Sequence, residues 1–399
     1  MKKLSKMMLA AVASVALAAP AFAWDFSASG SSSATWKQVT VTPASGDATV
    51  DTNFTSSSGG VTVSSSNSDG ANSATFSYTA DWNGDAGNFD EYVSVSGSKK
   101  VGNWTASSAT TQHIQKDIGA GADDAKGGGG YASPMSAGAS AVITLTDGNI
   151  TYKLGDASHL STAEKAVNGP MDGAQDAEAR VDSFNGFSVG LGVGPGTLTV
   201  AIDEGHGVAA TALGDQSLAV ACGANTMSFG VNFAGDVGAD LSFTYGSGSA
   251  TADALGCTGD NSGDGATANT MGLGVAIPLG GMSLALDYES SGTTNTAASV
   301  ETATSQSGFE VSFTMPLSDA TLGLNVSAHA NETSVASVVT VLGAAAGTEL
   351  WYSVPIGPVS LAVGYGSSAA AAGCATCSAG TTVVSAVTTQ MGAEMSMSF

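Results

Sequence analysis

The chain has 399 residues, with 34 Asp and Glu against 11 Lys and Arg and a formal charge of −23 at pH 7. Such an acidic surface repels the phosphate backbone, so nucleic acid is excluded as a partner. A mean hydropathy of +0.17 argues against a disordered acidic chain. The 53 glycines argue against long helices.

The first 23 residues predict a secretory signal peptide. Lys2, Lys3 and Lys6 precede an apolar run at 7–19, and residues 20–23 close with an Ala-x-Ala cleavage site. The run is too short for a spanning helix, and a retained anchor is the alternative. We therefore expect export, cleavage after Ala23 and a mature chain of residues 24–399.

The N-terminal half of the mature chain predicts strands only faintly. No apolar run approaches the ~18 residues of a spanning helix, so an exported chain could cross a membrane only as a barrel. Residues 41–90 are either one long loop or a segment that hides another hairpin. The candidate strands of this half are 25–37, 91–98, 103–111, 139–146 and 149–155.

From residue 179 onward, apolar residues alternate with small or polar ones, as in Met282, Leu284, Leu286 and Tyr288. Period two predicts strands with two unlike faces. Short turns alternate with long loops rich in Gly, Ser and Thr, which is typical of an outer-membrane barrel. A soluble β-sandwich and a β-solenoid are the alternatives. The short turns lie near residues 195, 235, 279, 317 and 356.

The sequence thus predicts an all-β fold, a transmembrane antiparallel β-barrel of about 16 strands, within a range of roughly 14 to 18. Tyr245, Tyr288 and Tyr365 end their strands before long loops, and Phe399 ends the last strand at the opposite side. Aromatic rings at both strand limits match the two interfacial girdles of such barrels.

Several stretches resemble Gram-negative general porins, a family of trimeric diffusion channels. They are "ARVDSFNGFSVGLGVG", "GLGVAIPLGGMSLALDY", "YSVPIGPVSLAVGYG" and the terminal "QMGAEMSMSF". The resemblance implies a homotrimer in the outer membrane, in contact with its lipid and lipopolysaccharide. It also implies that the barrel-insertion machinery reads Phe399, Met397 and Met395 as a sorting signal.

The resemblance further implies that the third long loop, 156–178, folds into the barrel and narrows it. Ser161 to Glu164 form a capping box that predicts a short helix, which Asn168, Gly169 and Pro170 would stop. A solvated surface loop is the alternative. The predicted constriction residues are Asp156, Glu164, Lys165, Asp172, Asp176 and Glu178.

The charge of the remaining chain is one-sided. No Lys or Arg follows Arg180, whereas 17 Asp and Glu do, so the row of arginines that the porin family often carries is missing. Several acids lie opposite in parity to the apolar stripe and should face the lumen. The predicted wall residues are Lys153, Arg180, Asp182, Asp203, Asp240, Asp287, Glu310, Glu349 and Glu394.

These patterns predict a passive channel for ions and small hydrophilic solutes that prefers cations through electrostatics. A solute-selective channel and a structural or adhesive surface barrel with a plugged lumen are the alternatives. No nucleophile elbow or catalytic triad is evident, so we expect no enzyme.

We expect no cofactor and no metal site, with loop-bound calcium as the alternative. Asp81, Asn83 and Asp85 have calcium-like spacing, as do Asp260, Ser262 and Asp264, but neither run has Glu at the twelfth position. Export makes disulfide pairing of the four cysteines possible, and the C-x-x-C at 374–377 predicts a loop disulfide or a chance pair rather than a redox site. The four cysteines are Cys222, Cys257, Cys374 and Cys377.

Overall fold

A computed structural model describes most of the mature chain. The predicted signal peptide and the four cysteines lie outside the described residues. The described residues contain no helix, and therefore no helix long and apolar enough to cross a membrane. The described residues are 24–43, 46–55, 58–83, 88–115, 140–157, 159–160, 163–170, 184–204, 226–251, 265–297, 300–335, 338–372 and 383–399.

These residues form 19 strands. In chain order they are β1 (Asp25–Pro43), β2 (Thr49–Thr55), β3 (Gly59–Ser68), β4 (Asn72–Asn83), β5 (Asn88–Val101), β6 (Trp104–Gln115), β7 (Ser140–Thr146), β8 (Ile150–Ala157), β9 (Phe184–Val193), β10 (Gly196–Glu204), β11 (Thr226–Asp236), β12 (Asp240–Thr251), β13 (Gly265–Leu279), β14 (Met282–Ala297), β15 (Val300–Leu317), β16 (Ala320–Val335), β17 (Val338–Ile356), β18 (Val359–Ala372) and β19 (Val383–Ser398).

The fold is an all-antiparallel β-barrel of 18 strands. Strand β1 pairs through Asp25 to Ser32 with β3 and also pairs with the short β2, where Gln38 Nε2 donates to Thr52 Oγ1 at 3.4 Å. We infer that β2 and β3 pair with different parts of β1 and together fill one strand position, so that 19 strands occupy 18 positions. The number of strands is slightly above the predicted 16 and within the predicted range, because residues 41–90 contain β2, β3 and β4 and so hide the additional hairpin that was the alternative to one long loop.

The chain divides into two compact units, and the first comprises Met1–Ala34, Thr55–Asp147 and Ser396–Phe399. Within it β3 to β7 pair consecutively. Hydroxyl groups bridge neighbouring strands, as between Thr62 and Thr79 at 2.9 Å and between Ser94 and Thr111 at 2.8 Å. Such cross-strand pairs stabilise a sheet whose side chains are small.

The end of the chain is held by backbone hydrogen bonds in the first unit. Gly30 N donates to Phe399 O at 2.7 Å, and Phe399 N donates to Gly30 O at 2.9 Å. A side chain at Gly30 would collide with the Phe399 ring, so glycine is needed for this close approach. The predicted sorting residues Met395, Met397 and Phe399 are all exposed, and their role as a signal stays a prediction.

The second unit comprises Thr35–Phe54 and Gly148–Met395. Its strands β8 to β18 pair in sequence, with β9 joining β8 to β10, and a register shift occurs at Asn331/Glu332. The tight turns need left-handed backbone, as at Ser318 with φ 59° and Gly357 with φ 63°. One predicted turn, residues 234–236, belongs instead to β11, and the chain reverses at 237–239.

Polar and apolar residues alternate along the strands of the second unit, so its sheet has one polar face and one apolar face. The polar face carries Asp287, Glu310 and Asn325, each at most 1% exposed, whereas the apolar face carries Leu286 and Phe309, at 43% and 45% exposed. This burial is the reverse of that in a water-soluble sandwich, where the apolar face forms the core. The alternation predicted from sequence is therefore confirmed, and its exposed side is the apolar one.

Candidate functional site

The candidate site lies where residues 163–170, here named the docked segment, contact the polar face of the second unit. Its first anchor is the carboxylate of Asp287 on β14. Lys165 N donates to both carboxylate oxygens at 2.9 Å, and Ala166 N donates to Oδ2 at 2.5 Å. Hydrogen bonds to a charged acceptor are roughly twice as strong as neutral ones, so Asp287 is the principal attachment of the segment.

Asn325 on β16 is the second anchor, and it joins the docked segment to the sheet. Its Nδ2 lies within hydrogen-bond distance of three acceptors, Val167 O and Asn168 Oδ1 at 2.7 Å and Glu310 Oε1 at 3.0 Å, which share its two hydrogens. On the neighbouring strand Ser312 Oγ accepts from Val167 N at 3.0 Å. Because Asn325 is fully buried, these bonds form away from competing water.

Trp351 on β17 supports the end of the docked segment. Its Nε1 donates to Asn325 Oδ1 at 3.3 Å, which fixes the orientation of the Asn325 amide. The indole ring lies over Gly323, and Gly169 packs against Trp351 and Glu349 so closely that a side chain at either glycine would collide. Gly169 thus has a packing role at this position.

His159 and Leu160, which precede the docked segment in the chain, also contact the sheet. The His159 ring is buried, with Nδ1 at 2.9 Å from Ser188 Oγ and Nε2 at 2.9 Å from Gly155 O. Leu160 packs over Gly230, and a side chain there would meet the Leu160 methyl group. This chain segment is therefore attached to the sheet at both ends.

Lys165 of the docked segment forms an ion pair with the sheet. Lys165 Nζ lies 2.9 Å from Asp240 Oδ2, and the Asp240 side chain is 56% exposed. The Lys165 ammonium is therefore directed to Asp240 while its backbone amide bonds to Asp287. Lys165 thus contacts two acids of the polar face, Asp240 through its side chain and Asp287 through its backbone.

The helix predicted in the loop is not present in residues 163–169, which the structure describes as non-helical. The capping-box pattern was wrong because Asp287 and Ser312 accept hydrogen bonds from the amides of residues 165–167. A backbone N–H bonded to the sheet in this way is not available for a helical bond.

The predicted wall acids Asp287, Glu310 and Glu349 do lie on the polar face, but all three are buried rather than open to solvent. Lys153 and Glu394 are half-buried. Asp156 lies in β8 and Asp203 in β10, and their side chains are not described. Outside the described residues are Asp172, Asp176, Glu178, Arg180 and Asp182.

Sequence reasoning missed Ser312, Asn325, Trp351 and His159. The first three carry no charge, so a search for acids passes over them. A signal was nevertheless present, because each lies in the parity of the acids: Asn325 falls between Leu324 and Val326. Polar residues in an alternating strand are thus candidates for anchoring whatever their charge.

No group of three or more His, Cys, Asp or Glu in the described part of the chain could hold a metal ion. Of the calcium-like runs, Asp81 and Asn83 lie in β4. Asp85 and the whole of the second run, with Asp260, Ser262 and Asp264, lie outside the described residues.

Comparison with known proteins gives the fold. No protein-family model matches the chain, and no curated protein matches it. The outer membrane channel DcaP of Acinetobacter baumannii is 10% identical over 94% of this chain and 97% of its own, with a TM-score of 0.50. The anion-selective porin from Comamonas acidovorans is 12% identical over 94% and 100%, with a TM-score of 0.46. At these identities the similarity to DcaP shows the barrel fold alone.

Proposed function

We propose that this protein is an outer-membrane porin, a passive diffusion channel for ions and small hydrophilic solutes. The observation that carries the proposal is the combination of an exposed apolar face with a buried polar face in β12 to β17. Lipid can solvate the apolar face, whereas the polar face suits a water-filled lumen. Under this proposal the docked segment lies inside the lumen and narrows it.

The same proposal includes a preference for cations. The acids Asp287, Glu310 and Glu349 lie on the polar face, and Lys165 is neutralised by Asp240. These acids expose no carboxylate, so they would not bind permeating ions directly. They would attract cations through their electrostatic field, because a field that passes through protein is screened less than one that passes through water.

Lys165 and Asp240 form a matched pair for testing selectivity. Lys165→Met removes one positive charge and keeps the backbone hydrogen bonds to Asp287, so cation preference should rise. Asp240→Asn leaves the Lys165 ammonium unneutralised, so cation preference should fall. The measurement is the reversal potential in a KCl gradient, and shifts of the same sign in both variants would contradict the assignment.

The proposed function is tested by recording the purified protein in a planar bilayer with unequal KCl on the two sides. We expect large conductance steps and a reversal potential of the sign that cation preference gives. An anion-preferring potential would reject the selectivity, and a potential near zero would reject electrostatic control.

A structural or adhesive barrel with a plugged lumen is the second candidate, and one observation favours it. The polar face beneath the docked segment is almost fully buried, with Glu310 0% and Glu349 1% exposed. A plugged barrel would show no conductance although it is folded and inserted. A solute-selective channel would instead show conductance that one solute blocks at low concentration.

The location and partners of the protein are part of the proposal. The chain would be exported by residues 1–23, recognised by the barrel-insertion machinery through Met395, Met397 and Phe399, and inserted in the outer membrane of a Gram-negative bacterium. It would contact outer-membrane lipid and lipopolysaccharide and assemble as a homotrimer. Conductance steps in groups of three would support the trimer.

A further inference from the structure

A cavity of about 730 Å³ lies within the first unit, against β1, β3, β4 and β5. Residues that lie opposite each other on neighbouring strands point to the same side of a sheet, so the register shows which lining side chains share a face. Those that share one face are Ser29, Ser31, Thr62, Thr79, Asp81 and Tyr92. The cavity is therefore lined on this face by hydroxyl groups and one carboxylate.

Gly60 leaves room at the floor of the cavity. The register places it between Ser31 of β1 and Asp81 of β4, so no side chain separates these two. A methyl group at Gly60 would lie 3.1 Å from Asp81 Cβ and 3.3 Å from Ala80 O, which is a tight fit. Because neighbouring strands are about 4.8 Å apart, Ser31 and Asp81 face each other across roughly 9–10 Å.

Asp81 presents an unused carboxylate to this space. Its side chain is half-buried, and among the described residues it has neither a hydrogen bond nor an ion pair. Thr62 and Thr79, on the same face, bond to each other at 2.9 Å and not to Asp81. An ionised carboxylate only accepts hydrogen bonds, so a ligand at Asp81 must supply donors.

The lining argues against an anionic ligand. The described residues that border the cavity include no Lys, Arg or His, and Asp81 is their single acidic side chain. An anion would meet one negative charge and no positive one.

The rings that border the cavity do not form an aromatic cage for an ammonium group. The Trp82 ring lies against Gly59 and the Phe399 ring against Gly30. Both glycines alternate with the lining residues and belong to the opposite face of the sheet. Tyr92 is then the one aromatic side chain on the face of the cavity, whereas recognition of an organic cation uses several rings.

We infer that this cavity is a binding subsite for a neutral sugar. A sugar carries several hydroxyl groups, which can donate to Asp81 and exchange hydrogen bonds with Ser31 and Thr62, and its ring can lie against Tyr92. The volume is within the roughly 300–1,000 Å³ of small-molecule sites. Val95 is on the opposite face and is 53% exposed, so under the proposed function, on which this inference rests, the cavity borders the lumen.

Saturation-transfer NMR of the full mature protein tests the subsite, with sucrose as the probe. The detergent should be lauryldimethylamine oxide, because it has no sugar headgroup to compete. We expect a saturable sucrose signal that tetramethylammonium chloride does not displace. The absence of a saturable signal would overturn the subsite, and displacement by tetramethylammonium would overturn the assignment to a neutral ligand.

Two acid-to-amide variants provide the matched comparison. Asp81→Asn keeps the size of the side chain and removes its charge, and hydrogen bonds to a charged acceptor are roughly twice as strong as neutral ones, so sucrose should bind about tenfold more weakly. Asp25→Asn makes the same change at an exposed residue of β1 outside the cavity and should leave the affinity unchanged. An equal affinity in Asp81→Asn and Asp25→Asn would show that sucrose binds elsewhere.

If Asp81→Asn fails to fold, diffraction from wild-type crystals soaked in sucrose locates the ligand. Density should appear between Asp81 and Tyr92, and sucrose ordered elsewhere with the cavity free of it would overturn the proposal. Both binding experiments are independent of conductance. A barrel that binds sucrose but does not conduct would reject the channel and keep the subsite, and a conducting barrel without binding would do the reverse.

Discussion

Asp287→Ala should release the docked segment from the sheet and raise the single-channel conductance. The substitution removes the acceptor for Lys165 N and Ala166 N, and each buried N–H that is left without an acceptor costs about 1–3 kcal/mol. The segment then moves away from the wall, and larger sugars should enter. Conductance in bilayers and sugar uptake by liposomes measure both effects.

Glu394→Gln is the matched control for this experiment. It removes one carboxylate from β19, a strand with no contact to the docked segment among the hydrogen bonds and ion pairs of the described residues, so the size limit should not change. If Asp287→Ala and Glu394→Gln both changed the ion selectivity and both left the conductance unchanged, Asp287 would contribute charge and would not position the segment.

The strands of the C-terminal half could be predicted from sequence because their faces differ strongly. In β14 the apolar Leu284 and Leu286 alternate with Ala285 and Asp287, so period two is unambiguous. Strand β3 reads GGVTVSSSNS, and only Val61 and Val63 distinguish its faces. Where both faces are small or polar, the hydrophobic contrast that predicts a strand is lost, which is why the sequence left residues 41–90 open between a loop and a hairpin.

The candidate site was predictable only in part. Parity placed Asp287, Glu310 and Glu349 on the polar face, since each alternates with exposed apolar neighbours. Parity carries no information about which segment covers that face, because the contacts of Asp287 and Asn325 with the docked segment span 121 to 158 residues of sequence. The identity of an anchoring pair so far apart follows from the fold and not from local pattern.

The failed helix and the burial of the wall acids have one cause. The docked segment exchanges the backbone hydrogen bonds of a helix for bonds to Asp287, Ser312 and Asn325. Residues predicted to face permeating ions are therefore attachment points. Their effect on selectivity and their effect on the position of the segment are coupled, and substitutions at these residues should change both together.

Asn325→Asp should cause the largest loss of stability at the site. The new carboxylate replaces an amide whose Nδ2 lies within hydrogen-bond distance of Val167 O, Asn168 Oδ1 and Glu310 Oε1, so oxygen would face oxygen at each contact. An uncompensated buried charge costs on the order of 3–5 kcal/mol. The temperature at which the purified barrel loses its compact gel mobility should fall, and the conductance of the protein that still folds should rise.

Two further variants separate the causes of that loss. Asn325→Leu removes the donor without adding a charge, so the loss of stability should be smaller. Asn269→Asp adds a charge at an exposed position of β13 and should change the midpoint little. Equal losses for Asn325→Asp and Asn325→Leu would mean that packing at residue 325 matters and its hydrogen bonds do not. The docked segment would then be held by Asp287 and by the contact of Gly169 with Trp351.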